Sequence, residues 1–382
     1  MPDDVLIYAD TERSATLRHE IPLAIGDPFL YVEADGRRVV LTNSLERDRL
    51  ARAVPDVELV LGDELGLDDL VAEGMPRHEI DLELAARLCR RVDLRTAVVP
   101  PELPVVVADR LRADGIEVVI DQPQFNRRRR AKNELEIDGV RRAQAAANGA
   151  MGVAADMLRR ATADDGVLAL DGEPLTSERV REAMREHAAA QGCPMPGDVI
   201  VAAEGAAASG HDPGSGPLPA ATPIVIDIWP EDEQTACWAD MTRTFVAAGE
   251  PTDDVVEMHR LCLEALENVK ASARPGVLGS DLYGIACDVF EAAGHLTQRT
   301  KPEGEVLNEG FYHSLGHGVG LDVHEYPSLG RSGNEPLVPG DVIAVEPGTY
   351  RQGYGGVRLE DIVLVTDDGA EVLTSYPFSL EP

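Results

Sequence analysis

Lysine is nearly missing from this chain. Only Lys132, Lys270 and Lys301 stand among its 35 basic residues, against 68 aspartates and glutamates, for a formal net charge of −33 over 382 residues. A field of that sign excludes polyanionic partners, both nucleic acid and anionic membrane. Cysteine is also sparse. Cys89, Cys193, Cys237, Cys262 and Cys287 are widely spaced, odd in number and form no CxxC pair. They read as small buried hydrophobes in a reducing compartment, not as a disulfide framework. No apolar run approaches the length of a membrane span. The start, Met1-Pro2-Asp3-Asp4, has neither a basic nor an apolar leader region, so no signal peptide is expected. A soluble cytoplasmic protein is the expectation.

What is present begins with length: 382 residues are enough for two or three domains with a real core. Short β-like runs at 5–8, 29–32, 39–42, 57–61, 96–99 and 117–120 alternate with helical patterns. In one of these, Leu82, Ala85, Ala86 and Cys89 share a face. This is a small α/β domain over residues 1–122. Residues 122–130, with four consecutive arginines from Arg127 to Arg130, read as a linker whose cations meet acidic surfaces. A second domain, 123–382, opens with a long helix at 133–160. Further helices are expected at 177–191, 253–271 and 280–293, with Thr252 or Asp253 capping the third and Ser280 the fourth. Strands dominate from residue 311.

Five short stretches in that second domain carry chemistry. Asp227 lies near the end of the apolar run Ile224-Val225-Ile226-Asp227-Ile228. Asp240 opens Asp240-Met241-Thr242-Arg243-Thr244-Phe245-Val246 thirteen residues later, a spacing that suits a hairpin with the two carboxylates side by side. Two unpaired carboxylates repel, and a cation between them relieves this. Three histidines, His313, His317 and His324, fall in the glycine-rich stretch from Phe311 to Glu325. Glu346 ends the run Val342-Ile343-Ala344-Val345 before a Pro-Gly turn, and alternation in 356–365 puts Arg358 and Glu360 on one face. Singly, each acidic residue reads as a cap or a solvated strand end. Together, four carboxylates and one imidazole suit a pair of hard or borderline divalent ions: Mn²⁺, with Co²⁺ or Zn²⁺ open.

The order Asp, Asp, His, Glu, Glu, with these flanking residues, resembles the pita-bread metallopeptidases in their aminopeptidase P and prolidase branch. The resemblance is close over roughly residues 125–380. It is looser over the first 120, which resemble the N-terminal domain of the creatinase and prolidase group. It implies an α/β (α+β) protein: a small α/β domain, then a pita-bread catalytic domain with helices outside a curved, mainly antiparallel sheet. It implies a two-metal site in which Asp227 chelates one ion, Asp240 and Glu360 bridge both, and His317 and Glu346 complete the other shell. His324 resembles the histidine that contacts substrate and steadies the tetrahedral intermediate. His211, in Gly210-His211-Asp212-Pro213, resembles a second pocket histidine; His313 and Arg358 would also line the pocket. There is a departure. Members usually read Asp-x-Gly at the first ligand with an eleven-residue gap, whereas this chain reads Asp227-Ile228-Trp229-Pro230 with thirteen. The hairpin between the ligands should therefore be longer.

The resemblance implies an exopeptidase that removes the residue before proline by means of a metal-bridging hydroxide, with Glu346 carrying the proton. The substrate would be a peptide with proline in second position and the protein a homodimer. Whether it is a dipeptidase or an aminopeptidase stays open. So do two rivals: a creatinase-like non-peptidase hydrolase or lyase on the same fold, and an inactive binding module. The low lysine and strong negative charge are also similar to proteins of salt-accumulating halophiles. An acidic protein from a GC-rich genome is the other reading of the same composition.

Overall fold

The computed structural model describes residues 4–382, so the leader reading at Met1 to Asp3 lies outside the described residues. The chain divides into two compact units, Met1–Arg129 and Arg130–Pro382.

The first unit is a six-stranded sheet: β1 (Val5–Ala9), β2 (Phe29–Ala34), β3 (Arg37–Thr42), β4 (Glu58–Leu61), β5 (Thr96–Val99) and β6 (Glu117–Ile120), in the order β4-β3-β2-β1-β5-β6. Pairs β1–β2 and β2–β3 are antiparallel, while β3–β4, β1–β5 and β5–β6 are parallel. The near-continuous apolar runs follow from two-sided burial. Along β1, Leu6 points into one core with Leu30, Val32 and Leu88, while Val5 and Ile7 point into the other with Tyr31, Leu17 and Leu50.

The arginine-rich linker proves to be helical, Gln122–Arg130. The Asp121 carboxylate accepts from the Gln124 N–H at 3.0 Å and so starts the helix. Arg128 then meets Glu20 and Glu33, as expected of a basic run facing acidic side chains.

The second unit has two halves, each with two long helices and an antiparallel sheet; in the first half a small three-stranded sheet, Thr162–Asp164, Val167–Leu170 and Glu173–Pro174, lies between the helices in the chain. Helix Glu134–Arg160 starts at a reciprocal capping box between Asn133 and Glu136. Its buried stripe Val140, Ala143, Ala147, Ala150, Ala154 and Leu158 keeps the helical period. That stripe packs with helix Ser177–Ala190 on the antiparallel sheet Ile200–Ala203, Pro223–Ile228 and Met241–Val246. Helices Asp253–Ser272 and Gly279–Ala292 cover a second antiparallel sheet. Its strand order is Glu325–Leu329, Gly316–Gly318, Val342–Val345, Asp361–Val365 and Ala370–Val372.

Thr252 caps the helix that follows it, its hydroxyl accepting from the Val255 N–H at 3.4 Å. Ser280 is not a cap. Its helix begins at Gly279, and the Ser280 N–H donates to the Gly333 carbonyl at 3.0 Å. All five cysteines are buried and free. No helix among the described residues is long and apolar enough to cross a membrane.

Candidate metal centre

Strand geometry assembles the cluster. Strands Pro223–Ile228 and Met241–Val246 pair with Asp227 opposite Thr242. Asp240 lies two residues before Thr242, so it emerges on the same face as Asp227. The thirteen-residue gap is taken up by a two-stranded ribbon, Glu231–Asp232 with Cys237–Trp238. Glu360 sits at a break. The run 356–365 is two strands in different sheets, Gly355–Arg358 and Asp361–Val365. The Glu360 N–H crosses to the Thr242 carbonyl at 3.1 Å, and Arg243 Nη1 donates to the Glu360 carbonyl at 2.7 Å. These bonds bring Glu360 against the two aspartates. One oxygen from each of Asp227, Asp240 and Glu360 lies within 4.8 Å of the others, and all three residues are buried.

His317 and Glu346 arrive from the second sheet. His317 pairs with Ala344 on the neighbouring strand, and Glu346 follows the end of that strand. The His317 Nε2 lies 3.7 Å from a Glu346 oxygen and 3.8 Å from an Asp240 oxygen. Burial, with His324 alongside, lowers the His317 pKa to about 4, so the ring is neutral at pH 7 and these are not salt bridges. Its Nδ1 faces the Gly318 carbonyl at 3.1 Å, and a carbonyl can only accept, so Nδ1 carries the proton. The Nε2 lone pair is therefore left facing carboxylates.

This is an arrangement with more acceptors than donors. Asp227 Oδ1 and Asp240 Oδ1 are buried with no hydrogen-bond partner among the described residues. Burial, then the neighbouring carboxylates, pushes Asp240 and Glu360 well above the usual carboxylate range. Burial pushes Glu346 up to about 8, opposed by Arg358 and reinforced by Asp227. Converging oxygens, two of them without a partner, and one imidazole lone pair fit divalent cations.

The surrounding bonds fix what the ligand atoms present. Arg358 Nη2 holds Asp227 Oδ2 at 2.6 Å and leaves Oδ1 to the cluster. The Thr242 hydroxyl donates to Glu360 Oε2 at 2.7 Å. Arg358 Nη1 also donates to the Tyr350 hydroxyl at 2.9 Å, and that hydroxyl lies 3.1 Å from His313 Nε2. His313 Nδ1 is committed to the Ser314 carbonyl at 2.6 Å. The chain of donation therefore runs from Arg358 through Tyr350 and His313 to Ser314. Burial, then Arg358, lowers His313 to about 4.

One cavity of about 690 Å³ is lined by all nine residues singled out in the sequence: His211, Asp227, Asp240, His313, His317, His324, Glu346, Arg358 and Glu360. His324 stands edge-on to His317, ring centroids 4.2 Å apart, and one of its nitrogens lies within 4.8 Å of ligand atoms of Asp240 and His317. Trp229, Ile200, Tyr312, Val323 and Asp198 also line the cavity and were not singled out. Nor were Thr242 and Tyr350. Thr242 could have been found by the two-residue period from Asp240. Trp229 occupies the position where the sequence departs from the family's glycine.

Residues 138–367 match metallopeptidase family M24. The chain belongs to that family, whose members use divalent metal ions. It is 38% identical over 136 residues to an Xaa-Pro dipeptidase of Pyrococcus furiosus. It is 40% identical over 136 residues to an Xaa-Pro dipeptidase of Pyrococcus horikoshii. Each matched stretch is 36% of this chain and 35% of the relative, so it spans about a third of the curated relatives' length. The fold is that of the pita-bread enzymes. It superposes on the X-Pro aminopeptidase of Thermotoga maritima with a TM-score of 0.77, at 23% identity, over 99% of this chain and 96% of that one.

Proposed function

We propose that this protein is a two-metal exopeptidase cleaving the bond before proline, with manganese as the resident ion. The observation that carries the reading is the buried cluster of Asp227, Asp240 and Glu360, faced by the lone pair of a neutral His317. The names of the Pyrococcus relatives support an Xaa-Pro dipeptide as substrate.

In this proposal Asp227, Asp240, His317, Glu346 and Glu360 hold the ions. Bound there, divalent cations supply a water of lowered pKa and a Lewis acid for the scissile carbonyl. The remaining work belongs to the protein. Arg358 and Thr242 fix Asp227 and Glu360 so that one oxygen of each stays aimed at the site. Glu346, beside His317 in the same cluster, takes a proton from the attacking water and returns it to the leaving prolyl nitrogen. His324 and His211 reach the cavity from opposite segments and donate to the substrate carbonyl as negative charge develops on it. A prolyl nitrogen within a peptide bond carries no N–H. Its recognition therefore falls to shape, which Trp229, Ile200, Tyr312 and Val323 supply.

The test is purified, Mn²⁺-loaded protein assayed against Xaa-Pro dipeptides, Xaa-Pro tripeptides and creatine. Release of the residue before proline is expected. Turnover of creatine alone would move the protein to the non-peptidase reading, and turnover of none would leave a binding module. The same proposal takes the protein as a cytoplasmic homodimer, and sedimentation of purified protein tests its oligomeric state.

A further inference from the structure

Lys132 is one of three lysines in the chain, yet its side chain is only 2% exposed. It forms an ion pair with Glu325, whose side chain is 6% exposed. Burying such a pair is a poor route to stability, because desolvating two charges offsets their attraction. The location points to another use. Both groups lie against the loop between strands Gly316–Gly318 and Glu325–Leu329.

That loop carries His324. The strands it joins change register between His317 and Gly318: His317 pairs with Ser328 but Gly318 pairs with Glu325. Such an irregularity re-aims the side chains around it. His324 makes no side-chain hydrogen bond to any described residue, so its aim depends on the loop backbone. Glu325, next in sequence, takes up Lys132 with Oε1, and its Oε2 accepts from the Asp322 N–H at 3.5 Å. The lysine stem passes directly against Gly320. A Cβ there would stand 2.5 Å from both Lys132 Cε and Glu325 Oε1, so an added methyl would displace the ends of the paired side chains. The other end of the tie is fixed too. The Lys132 N–H donates to the Gly340 carbonyl at 3.2 Å, and Arg130, two residues earlier, is clamped on the buried Asp341 by two bonds of 3.0 and 2.7 Å.

We propose that the buried Lys132–Glu325 pair positions His324 against the carboxylate cluster, so that Lys132 is a positioning residue for the reaction. The inference rests on the peptidase reading for its kinetic consequence, but not for its structural one. Lys132 never meets substrate. It acts by holding the loop in which His324 is presented.

The test uses full-length, Mn²⁺-loaded protein carrying Lys132→Met with Glu325→Gln, a combination that removes both charges of the pair together. It should fold with unchanged metal content. Its kcat on an Xaa-Pro dipeptide should fall about 10- to 100-fold, the range seen when a supporting partner of a site group is removed, with a smaller change in KM. In a His324→Ala background the same two changes should leave kcat within about twofold, because coupled residues do not add. Gly320→Ala should reproduce the loss. Independently of turnover, in the metal-free protein, where no paramagnetic ion broadens them, the imidazole ¹⁵N resonances of His324 should shift in the double variant while those of His211 and His313 stay in place. An unmoved His324 signal, or an equal loss of kcat in both backgrounds, would overturn the proposal. If the unmodified protein cleaves no Xaa-Pro peptide, the peptidase reading fails by itself, and the His324 resonances alone decide this one.

Discussion

Glu346→Gln should flatten the pH dependence of the metal-free protein's stability. Burial pushes the Glu346 carboxyl from an ordinary 4.5 up to about 8 in the folded chain. The folded pKa is raised, so the group's contribution is fully present below pH 4.5 and is lost as the pH rises toward 8. Each pH unit in between costs about 1.4 kcal/mol, because the folded chain must keep a proton that the unfolded chain has given up. At pH 7 the accumulated loss is about 3 kcal/mol. From pH 6.5 to 8, allowing for partial ionisation near the top, about 1–2 kcal/mol should go. His313 and His317 act in the opposite direction, since burial lowers both to about 4. Their contribution grows as the pH rises to about 6.5 and is nearly level above 7. Urea unfolding of chelator-treated protein in 1 M KCl, at half-unit steps from pH 6.5 to 8, reads the slope. Wild type should lose stability across that window, and Glu346→Gln should lose less by about the same 1–2 kcal/mol. Parallel profiles would refute the reasoning, because Glu346 would then be ionised in the metal-free fold without penalty.

Three further outcomes follow from the same geometry. His324→Ala should keep its metal and lose most turnover, measured by elemental analysis beside kcat; loss of metal instead would make His324 a ligand, a role its closeness to Asp240 and His317 allows. Arg130→Met strands Asp341, which is fully buried and paired with it at 2.7 Å, so unfolding free energy should fall by about 3–5 kcal/mol without a change in the metal ligands. Melting temperature should rise clearly from dilute to molar KCl as the screening length drops from about 10 Å to about 3 Å, whereas a flat profile from 0.1 to 3 M would remove the halophile reading.

Much of this was legible along the chain because the informative residues sit in short local patterns. Asp227 and Asp240 are brought together by a hairpin, and a hairpin is encoded by two adjacent apolar runs. The first unit's strands could be located because burial on both faces leaves unbroken apolar stretches. The residues that sequence missed act across long separations. Tyr350 matters only because folding sets its hydroxyl between Arg358 and His313. Lys132 lies 193 residues from Glu325, and nothing near it announces the pairing. The helix at Gln122–Arg130 escaped for a related reason. Its four arginines give no apolar period, and partners elsewhere in the chain, Glu20 and Glu33 for Arg128, hold it. Ser280 misled because a serine ahead of a helical pattern looks like a cap, whereas tertiary contact with Gly333 decides the helix start.

The most direct test of the central claim is the number of divalent ions the chain holds. Protein loaded with Mn²⁺, freed of excess and analysed for metal should approach two ions per chain. Glu360→Ala should hold fewer and turn over no Xaa-Pro substrate. A wild-type chain that retains no manganese, or a Glu360→Ala chain that retains as much and stays active, would contradict the account.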